Sequence, residues 1–236
     1  MGGWSFVLYP DAAEGGGSFR SALGSSPRGR SSDPPIDSRD DAARRARGKV
    51  RRYCAANRLN RLGTLTYRGG GCHDPAALRE DVGGFFRRLR GGVGETFPYL
   101  WVPEWHKSGH GLHVHFAVGR FIGVRSIEQA WGHGFVHIKL LGDLPTGSGS
   151  LGEARLASRY LSKYVGKDLG EGNAGGLHRY EVAEGFQPRS VRLDGPTSDA
   201  VLGWAETVMD GPPGHVWRSR DQADWAGPPA IWASWD

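Results

Sequence analysis

The stretch from Phe97 to Val118 places the strongest constraint on the fold, because it has the pattern of a β-hairpin. Aromatic and β-branched residues are frequent from Tyr99 to Trp105, and the turn-forming sequence Lys-Ser-Gly-His-Gly follows at 107–111. From Leu112 to Val118 the residue types alternate with a period of two. We therefore predict two antiparallel strands joined by a short turn.

His113 and His115 lie two residues apart on the second arm of this predicted hairpin. Successive side chains of a strand point to opposite faces, so both imidazoles share one face and stand about 7 Å apart. The opposite face takes the apolar residues Leu112, Val114, Phe116 and Val118. Alone, the histidine pair fits either two metal ligands or a polar strand face.

Glu104, on the first arm, favours a metal site. It is the only acidic residue between Phe97 and Val118, and the turn places it opposite the histidines or one step from them. A carboxylate near the middle of a sheet needs a counter-charge, which a divalent cation would supply. Two imidazoles and one carboxylate leave coordination positions open for substrate oxygens, and these mixed donors favour Mg²⁺ or Mn²⁺. His106, near the turn, is the next candidate ligand.

The sequence RYLSKYVGKDL, from Arg159 to Leu169, supplies a candidate nucleophile. In a helix, one face would carry Tyr160, Lys163, Tyr164 and Lys167, while a separate apolar stripe would carry Ala157, Leu161 and Val165. The alternative is that the tyrosines are core residues and the lysines solvated ends, but a core face would not carry two lysines. A phenol is ionised to only about one part in a thousand at pH 7, so its attack on phosphorus needs a nearby ammonium or metal ion.

A run of basic residues without an intervening acid precedes these motifs. Its members are Arg44, Arg45, Arg47, Lys49, Arg51, Arg52, Arg58 and Arg61. Such a run attracts the phosphates of DNA, although it also fits the solvated face of a helix. We consider these residues candidate DNA-binding groups.

Composition excludes several classes of protein. The chain has 236 residues, 38 of them glycine, which excludes a coiled coil, and only two cysteines, which are too few for a disulfide framework. No apolar run approaches the roughly 18 residues that a membrane span needs, and the first residues lack the pattern of a secretory signal. We expect a cytoplasmic protein without a membrane partner.

The distribution of residues predicts three regions. Residues 1–41, rich in glycine, serine and proline, are expected to form a disordered N-terminal arm. Residues 42–210 are expected to form the folded domain with its basic N-terminal segment, and residues 211–236 a tail rich in proline and tryptophan. The main elements expected in the domain are a first strand at Leu62–Tyr67 and helices at Pro75–Arg90 and about Leu151–Lys167.

Three motifs in this order resemble those of the HUH endonuclease superfamily, in its branch of rolling-circle replication initiators of plasmids and single-stranded DNA phages. The motifs are TLTY at Thr64–Tyr67, EWHKSGHGLHVH at Glu104–His115 and YLSKYVGK at Tyr160–Lys167. The resemblance covers roughly Leu62 to Asp168. Relaxases place the tyrosine before the histidines, so the order disfavours them.

The resemblance implies an α+β fold in which a mostly antiparallel five-stranded sheet is flanked by helices. It also implies roles for seven residues: His113, His115 and Glu104 as metal ligands, Tyr160 and Tyr164 as the paired catalytic tyrosines, and Lys163 and Lys167 as the lysines that follow them.

The activity implied is a metal-dependent nicking and rejoining of single-stranded origin DNA through a 5′-phosphotyrosine. The implied partners are origin DNA and the host replication helicase and polymerase. Within the same chemistry, a transposase or a mobilisation nickase is the alternative. Two other classes also stay open: a zinc-dependent hydrolase, which would leave the tyrosine and lysine face unused, and a non-catalytic DNA-binding regulator, which would not need the histidines.

Overall fold

The structure, a computed structural model, describes residues 2–21, 37–139, 149–165 and 178–235. These residues form an α+β protein with five α-helices and two five-stranded antiparallel sheets. They fall into two compact units: a terminal unit within Met1–Pro35 and Pro188–Asp236, and a central unit within Ile36–Gln187. The predicted fold class is confirmed, but the sequence predicted only one of the two sheets.

The elements are numbered in chain order. The strands are β1 Gly3–Tyr9, β2 Glu14–Arg20, β3 Arg61–Tyr67, β4 Tyr99–Trp105, β5 Leu112–Val118, β6 Gly134–Lys139, β7 Glu181–Val182, β8 Val191–Gly195, β9 His215–Arg218 and β10 Ala230–Ser234. The helices are α1 Asp37–Ala56, α2 Pro75–Val93, α3 Val124–Trp131, α4 Gly149–Val165 and α5 Ser198–Met209. Among the described residues, no helix is long and apolar enough to cross a bilayer.

The sheet of the central unit has the strand order β6-β3-β5-β4-β7, and every neighbouring pair is antiparallel. The predicted hairpin is confirmed as β4 and β5, which lie at the middle of this sheet. Helix α2 begins at Pro75 as predicted, because the side chain of Asp74 caps it by accepting a hydrogen bond from the backbone N–H of Ala76 at 2.8 Å.

The two faces of this sheet are covered by different helices. Helices α2 and α3 pack on one face, where the buried residues of β5 are Leu112, Val114, Phe116 and Val118. Helices α1 and α4 pack on the other face, which takes Ala117 of β5. His113 and His115 share that second face because side chains alternate along the strand, as predicted.

Helix α4 docks on the sheet through the predicted apolar stripe. Ala157, Leu161 and Val165 are almost fully buried, in one cluster with Val102 of β4. Helix α1 begins at Asp37, so the expected boundary between residues 41 and 42 falls inside a helix rather than between two regions. Four of its buried residues, Ala46, Val50, Tyr53 and Cys54, belong to the cluster on this face of the sheet.

The expectation that residues 1–41 are disordered is wrong for strands β1 and β2, which belong to the terminal unit. These strands pair with each other in a sheet of order β8-β1-β2-β10-β9. The glycines of β2 are not a sign of disorder, because they make room for side-chain and backbone atoms of β1. A Cβ atom at Gly15 would overlap the ring of Phe6, and one at Gly17 would overlap the backbone of β1.

The expected C-terminal tail also contains regular structure. Strands β9 and β10 lie within residues 211–236 and pair with each other, and β10 pairs with β2. Ile231 and Ala233 of β10 are buried, and α5 begins after Thr197, whose side chain caps it by accepting a hydrogen bond from the backbone N–H of Ala200. Strand β8 and α5 belong to the terminal unit, so the central unit ends before the expected limit of residue 210.

Candidate active site

The turn between β4 and β5 fixes the register of the site. Gly109 and Gly111 adopt the left-handed conformation, with φ of 79° and 84°, which glycine adopts without strain. The backbone N–H of His106 donates to the carbonyl of Gly111 at 2.8 Å and closes the turn. Glu104 therefore lies directly opposite His113 across the two strands.

Glu104, His113 and His115 converge on one point. The Oε2 atom of Glu104 lies 3.0 Å from Nε2 of His113 and 2.9 Å from Nε2 of His115, and the two Nε2 atoms are 3.1 Å apart. Both histidines are buried and the Glu104 side chain is only 13% exposed. In the part of the chain that the structure describes, this is the one group of three or more such side chains that could hold a metal ion.

The three ligand atoms fit a divalent cation. Ligands about 2.1 Å from an octahedral ion occupy neighbouring corners about 3.0 Å apart, which matches the separations in this group. One carboxylate oxygen and two imidazole nitrogens are ordinary donors for such an ion. We call Glu104, His113 and His115 the triad from here on.

Strand β3 supports the triad from the side opposite β4. Thr64 lies directly across from His115, and its hydroxyl is 3.0 Å from Nδ1 of that imidazole. In the tautomer that leaves Nε2 free for a metal, Nδ1–H donates to the Thr64 oxygen. The sequence analysis did not predict this role, although Thr64 belongs to the motif TLTY on a predicted strand.

His106 lies beside the triad rather than in it. Its ring is exposed and stands 5.3 Å from the ring of His113, while its Nδ1 is 2.6 Å from the hydroxyl of Ser108 in the turn. The structure therefore does not bring the next candidate ligand into the group.

Helix α4 places both predicted tyrosines against the triad. The ring of Tyr164 stacks on the imidazole of His115, with centroids 3.9 Å apart and planes 20° from parallel. The ring of Tyr160 meets the same imidazole edge-on, at 5.9 Å and 86°. Both tyrosines are half-buried, so the face on which they lie is still open to a ligand.

The two phenols are bonded to each other. The hydroxyl of Tyr164 donates to the oxygen of Tyr160 at 2.9 Å. Burial raises the pKa of Tyr164 well above its ordinary value, and the hydrogen bond to Tyr160 and the negative charge of Glu104 raise it further. Ionisation of this phenol during an attack would therefore need a positive charge beside it.

Two lysines supply positive charge at Tyr160. The Nζ atom of Lys163 lies 5.9 Å from the centre of the Tyr160 ring, and that of Lys139, on β6, lies 4.9 Å from it. Lys163 was predicted, whereas Lys139 was not, because only the pairing of β6 with β3 brings it to α4. The fourth predicted catalytic residue, Lys167, lies outside the described residues.

The basic run occupies α1 and the segment after it. Arg44, Arg45, Arg47 and Lys49 are exposed, Arg51, Arg52 and Arg58 are half-buried, and Arg61 is exposed at the start of β3. Arg45 and Lys49 line a cleft of about 900 Å³ that α1 forms with residues 178–182, and Arg179 adds to its positive charge, while Arg79 is paired with Glu181 of the same cleft at 2.9 Å. The arrangement therefore places part of the run in a basic cleft of the central unit.

The comparison with known families bears on the same stretch of chain. Residues 60–169 match the family model of the replication-associated protein ORF2/G2P. This match begins one residue before β3 and includes the triad and both tyrosines, although it covers less than half of the 236 residues. It supports the resemblance to replication initiators. No curated protein and no solved structure matches the chain.

Proposed function

We propose that the central unit nicks and rejoins single-stranded origin DNA and so initiates rolling-circle replication. The observation that carries this proposal is the stacking of Tyr164 on His115, 3.9 Å between ring centroids, which sets a pair of bonded phenols beside the triad. The family match over residues 60–169 supports the same conclusion.

The residues suggest how the chemistry would run. A divalent cation held by Glu104, His113 and His115 would polarise the scissile phosphate. A phenolic oxygen of Tyr160 or Tyr164 attacks the phosphorus and loses its proton, while the bond from phosphorus to the 3′ oxygen breaks and that oxygen leaves as a 3′-OH. The 5′ phosphate stays on the tyrosine, and a later attack by a 3′-OH on this phosphotyrosine restores the strand.

The lysines would stabilise the negative charge that develops during this reaction. Lys139 and Lys163 lie at Tyr160, where an ammonium group stabilises both the developing phenolate and the phosphate it attacks. Two tyrosines allow two successive transfers, as re-nicking and closure of a replicated strand require. The 3′-OH would serve as primer for the host polymerase, with a host helicase opening the duplex ahead of it.

The basic run fits a role in holding DNA. Phosphate contacts position a strand without reading its sequence, so Arg44, Arg45, Arg47 and Lys49 would orient the DNA while the triad and tyrosines act on it.

A covalent-capture experiment tests the proposal. The full-length protein is incubated with Mn²⁺ and a random-sequence single-stranded library that carries a fluorophore at its 3′ end. We expect a fluorescent protein band that resists denaturation and disappears when EDTA is present at the start. The released fragment should end in a 3′-OH that a polymerase extends. If the library is cut without any adduct, the enzyme is a hydrolase and the transesterification is refuted.

A further inference from the structure

The edge strand β6 carries a row of exposed side chains on the same face as the triad. Phe135, His137 and Lys139 alternate with Val136 and Ile138, which pack against the core beneath α2 and α3. Phe135, His137 and Lys139 therefore point to the opposite face, on which α1 and α4 lie. We call these three residues the β6 strip.

The register of the sheet connects this strip to the triad. Thr66 of β3 pairs with Phe135 on one side and His113 on the other, so the three residues form one row across the sheet. Thr64 links His137 and His115 in the neighbouring row. Adjacent strands lie about 4.8 Å apart, so the backbones at Phe135 and His113 are separated by about 10 Å.

Lys139, at the end of the strip, contacts the tyrosine helix. Its Nζ atom lies 4.9 Å from the centre of the Tyr160 ring. The strip is thus continuous with the site at two places, through the threonines of β3 and through Tyr160.

The exposure of Phe135 needs an explanation. Its side chain is 70% exposed, on a strand whose other exposed residues are polar. A flat apolar ring on an otherwise polar face is suited to stacking with a nucleic-acid base, and single-stranded DNA is commonly bound by aromatic rings beside basic groups. Strand β6 contains no acidic residue, so the ammonium group of Lys139 leaves its charge favourable to phosphates, and the imidazole of His137 can donate a hydrogen bond to them.

We propose that the β6 strip binds the nucleotides next to the scissile phosphate, with a base stacked on Phe135 and phosphates held by Lys139 and His137. This inference rests on the proposed function for the identity of the strand, which is the substrate DNA. It adds a nucleotide-binding site on β6, which is separated by β3 from the histidines of the triad on β5.

The test compares two exposed apolar side chains. Binding of a fluorescein-labelled oligo(dT) to the full-length protein is followed by fluorescence anisotropy, with EDTA present so that no cleavage occurs. Loss of one base stack weakens binding by about 5-fold to 150-fold, which is the effect expected of Phe135→Ala. Val124→Ala is the control, since that side chain is 46% exposed on α3, which packs on the opposite face of the sheet, and it should bind like the wild type. Phe135→Trp keeps an aromatic ring at this position and should also bind like the wild type.

Two further readouts complete the test. If Lys139 contacts one phosphate, Lys139→Gln should reduce the slope of log affinity against log salt by about 0.7. In the covalent-capture assay, Phe135→Ala should form adduct slowly at low oligonucleotide concentration and approach the wild-type rate at saturation.

The outcomes separate the two proposals. Binding by Phe135→Ala that equals that of Val124→Ala and of the wild type, in protein that melts like the wild type, overturns the strip whatever the wild type does in the capture assay. That result would also indicate that the exposed ring of Phe135 contacts a protein rather than DNA. Weaker binding by Phe135→Ala with no adduct from the wild type supports base stacking on Phe135 but refutes the nickase, so the strand bound there would not be a substrate.

Discussion

The ring of Tyr164 lies against the imidazole of His115, with centroids 3.9 Å apart and planes 20° from parallel. The same imidazole reaches Glu104 through Nε2 at 2.9 Å and Thr64 through Nδ1 at 3.0 Å. His115 is therefore held by α4, β4 and β3 at once. The distance between the phenols and the triad depends on the packing of all three elements around this one side chain.

Removal of the Thr64 hydroxyl should weaken metal binding. Groups that orient a ligating histidine are typically worth about 10-fold to 100-fold in metal affinity, so we expect a loss of that size for Thr64→Val. Thr64→Ser keeps the hydroxyl and should retain affinity. Thr66→Val, two residues along the same face, is the control. The measurement is Mn²⁺ binding by electron paramagnetic resonance, and wild-type affinity in Thr64→Val would refute the role assigned to this residue.

Removal of either triad histidine should abolish the adduct but leave DNA binding largely intact. His113→Ala and His115→Ala each delete a nitrogen donor, whereas phosphates are held mainly by lysine and arginine. His215→Ala, which removes an exposed histidine of β9 in the terminal unit, should form adduct normally. A variant without His113 or His115 that still formed adduct would show that the triad holds no catalytic ion. A non-catalytic regulator, which does not need these histidines, would instead give no adduct with the wild type and unchanged oligo(dT) binding in both variants.

Replacement of Gly63 by alanine should destabilise the fold, because there is no room for a methyl group at this position. It lies across from Phe116, and an added Cβ would overlap the Phe116 ring. We expect Gly63→Ala to lower the free energy of unfolding by about 1 to 3 kcal/mol. Gly91→Ala on α2 is the matched control, because a Cβ there meets nothing and alanine favours a helix by up to about 1 kcal/mol. Urea unfolding of the two variants should shift in opposite directions, and equal midpoints would contradict the packing described.

The hairpin and the triad could be predicted because their determinants are local. Alternation along Leu112–Val118 and a turn rich in glycine fix which residues face which side and which residue lies opposite Glu104. The apolar stripe of α4 could likewise be identified from its spacing, since Ala157, Leu161 and Val165 recur every four residues.

The terminal sheet and the contact of Lys139 with Tyr160 depend on residues far apart in the chain. Strand β2 looks disordered by composition; it pairs with the neighbouring β1 on one edge, but its other edge pairs with β10, more than 200 residues later. The position of Lys139 over Tyr160 depends in the same way on the pairing of β6 with β3. Single-sequence patterns do not record such pairings, so the second sheet and the β6 strip were not predicted.

The exposed basic residues of α1 should contribute to DNA binding in proportion to the phosphates that they contact. Each lost contact to a single strand reduces the salt slope of binding by about 0.7. We therefore expect Arg45→Gln and Lys49→Gln together to reduce it by about 1.4 and to weaken oligo(dT) binding at low salt. Arg87→Gln, an exposed arginine on α2, is the control. An unchanged slope in the double variant would identify this part of the basic run as a solvated helix face.

The most direct test of the account is covalent capture by tyrosine variants. The wild type, Tyr160→Phe, Tyr164→Phe, the double variant and Tyr180→Phe are incubated with Mn²⁺ and the 3′-labelled single-stranded library. Each phenylalanine keeps the ring and removes only the phenolic oxygen, so folding should be preserved. The account predicts adduct with the wild type and with Tyr180→Phe, and none with the double variant. An undiminished adduct from the double variant would contradict it.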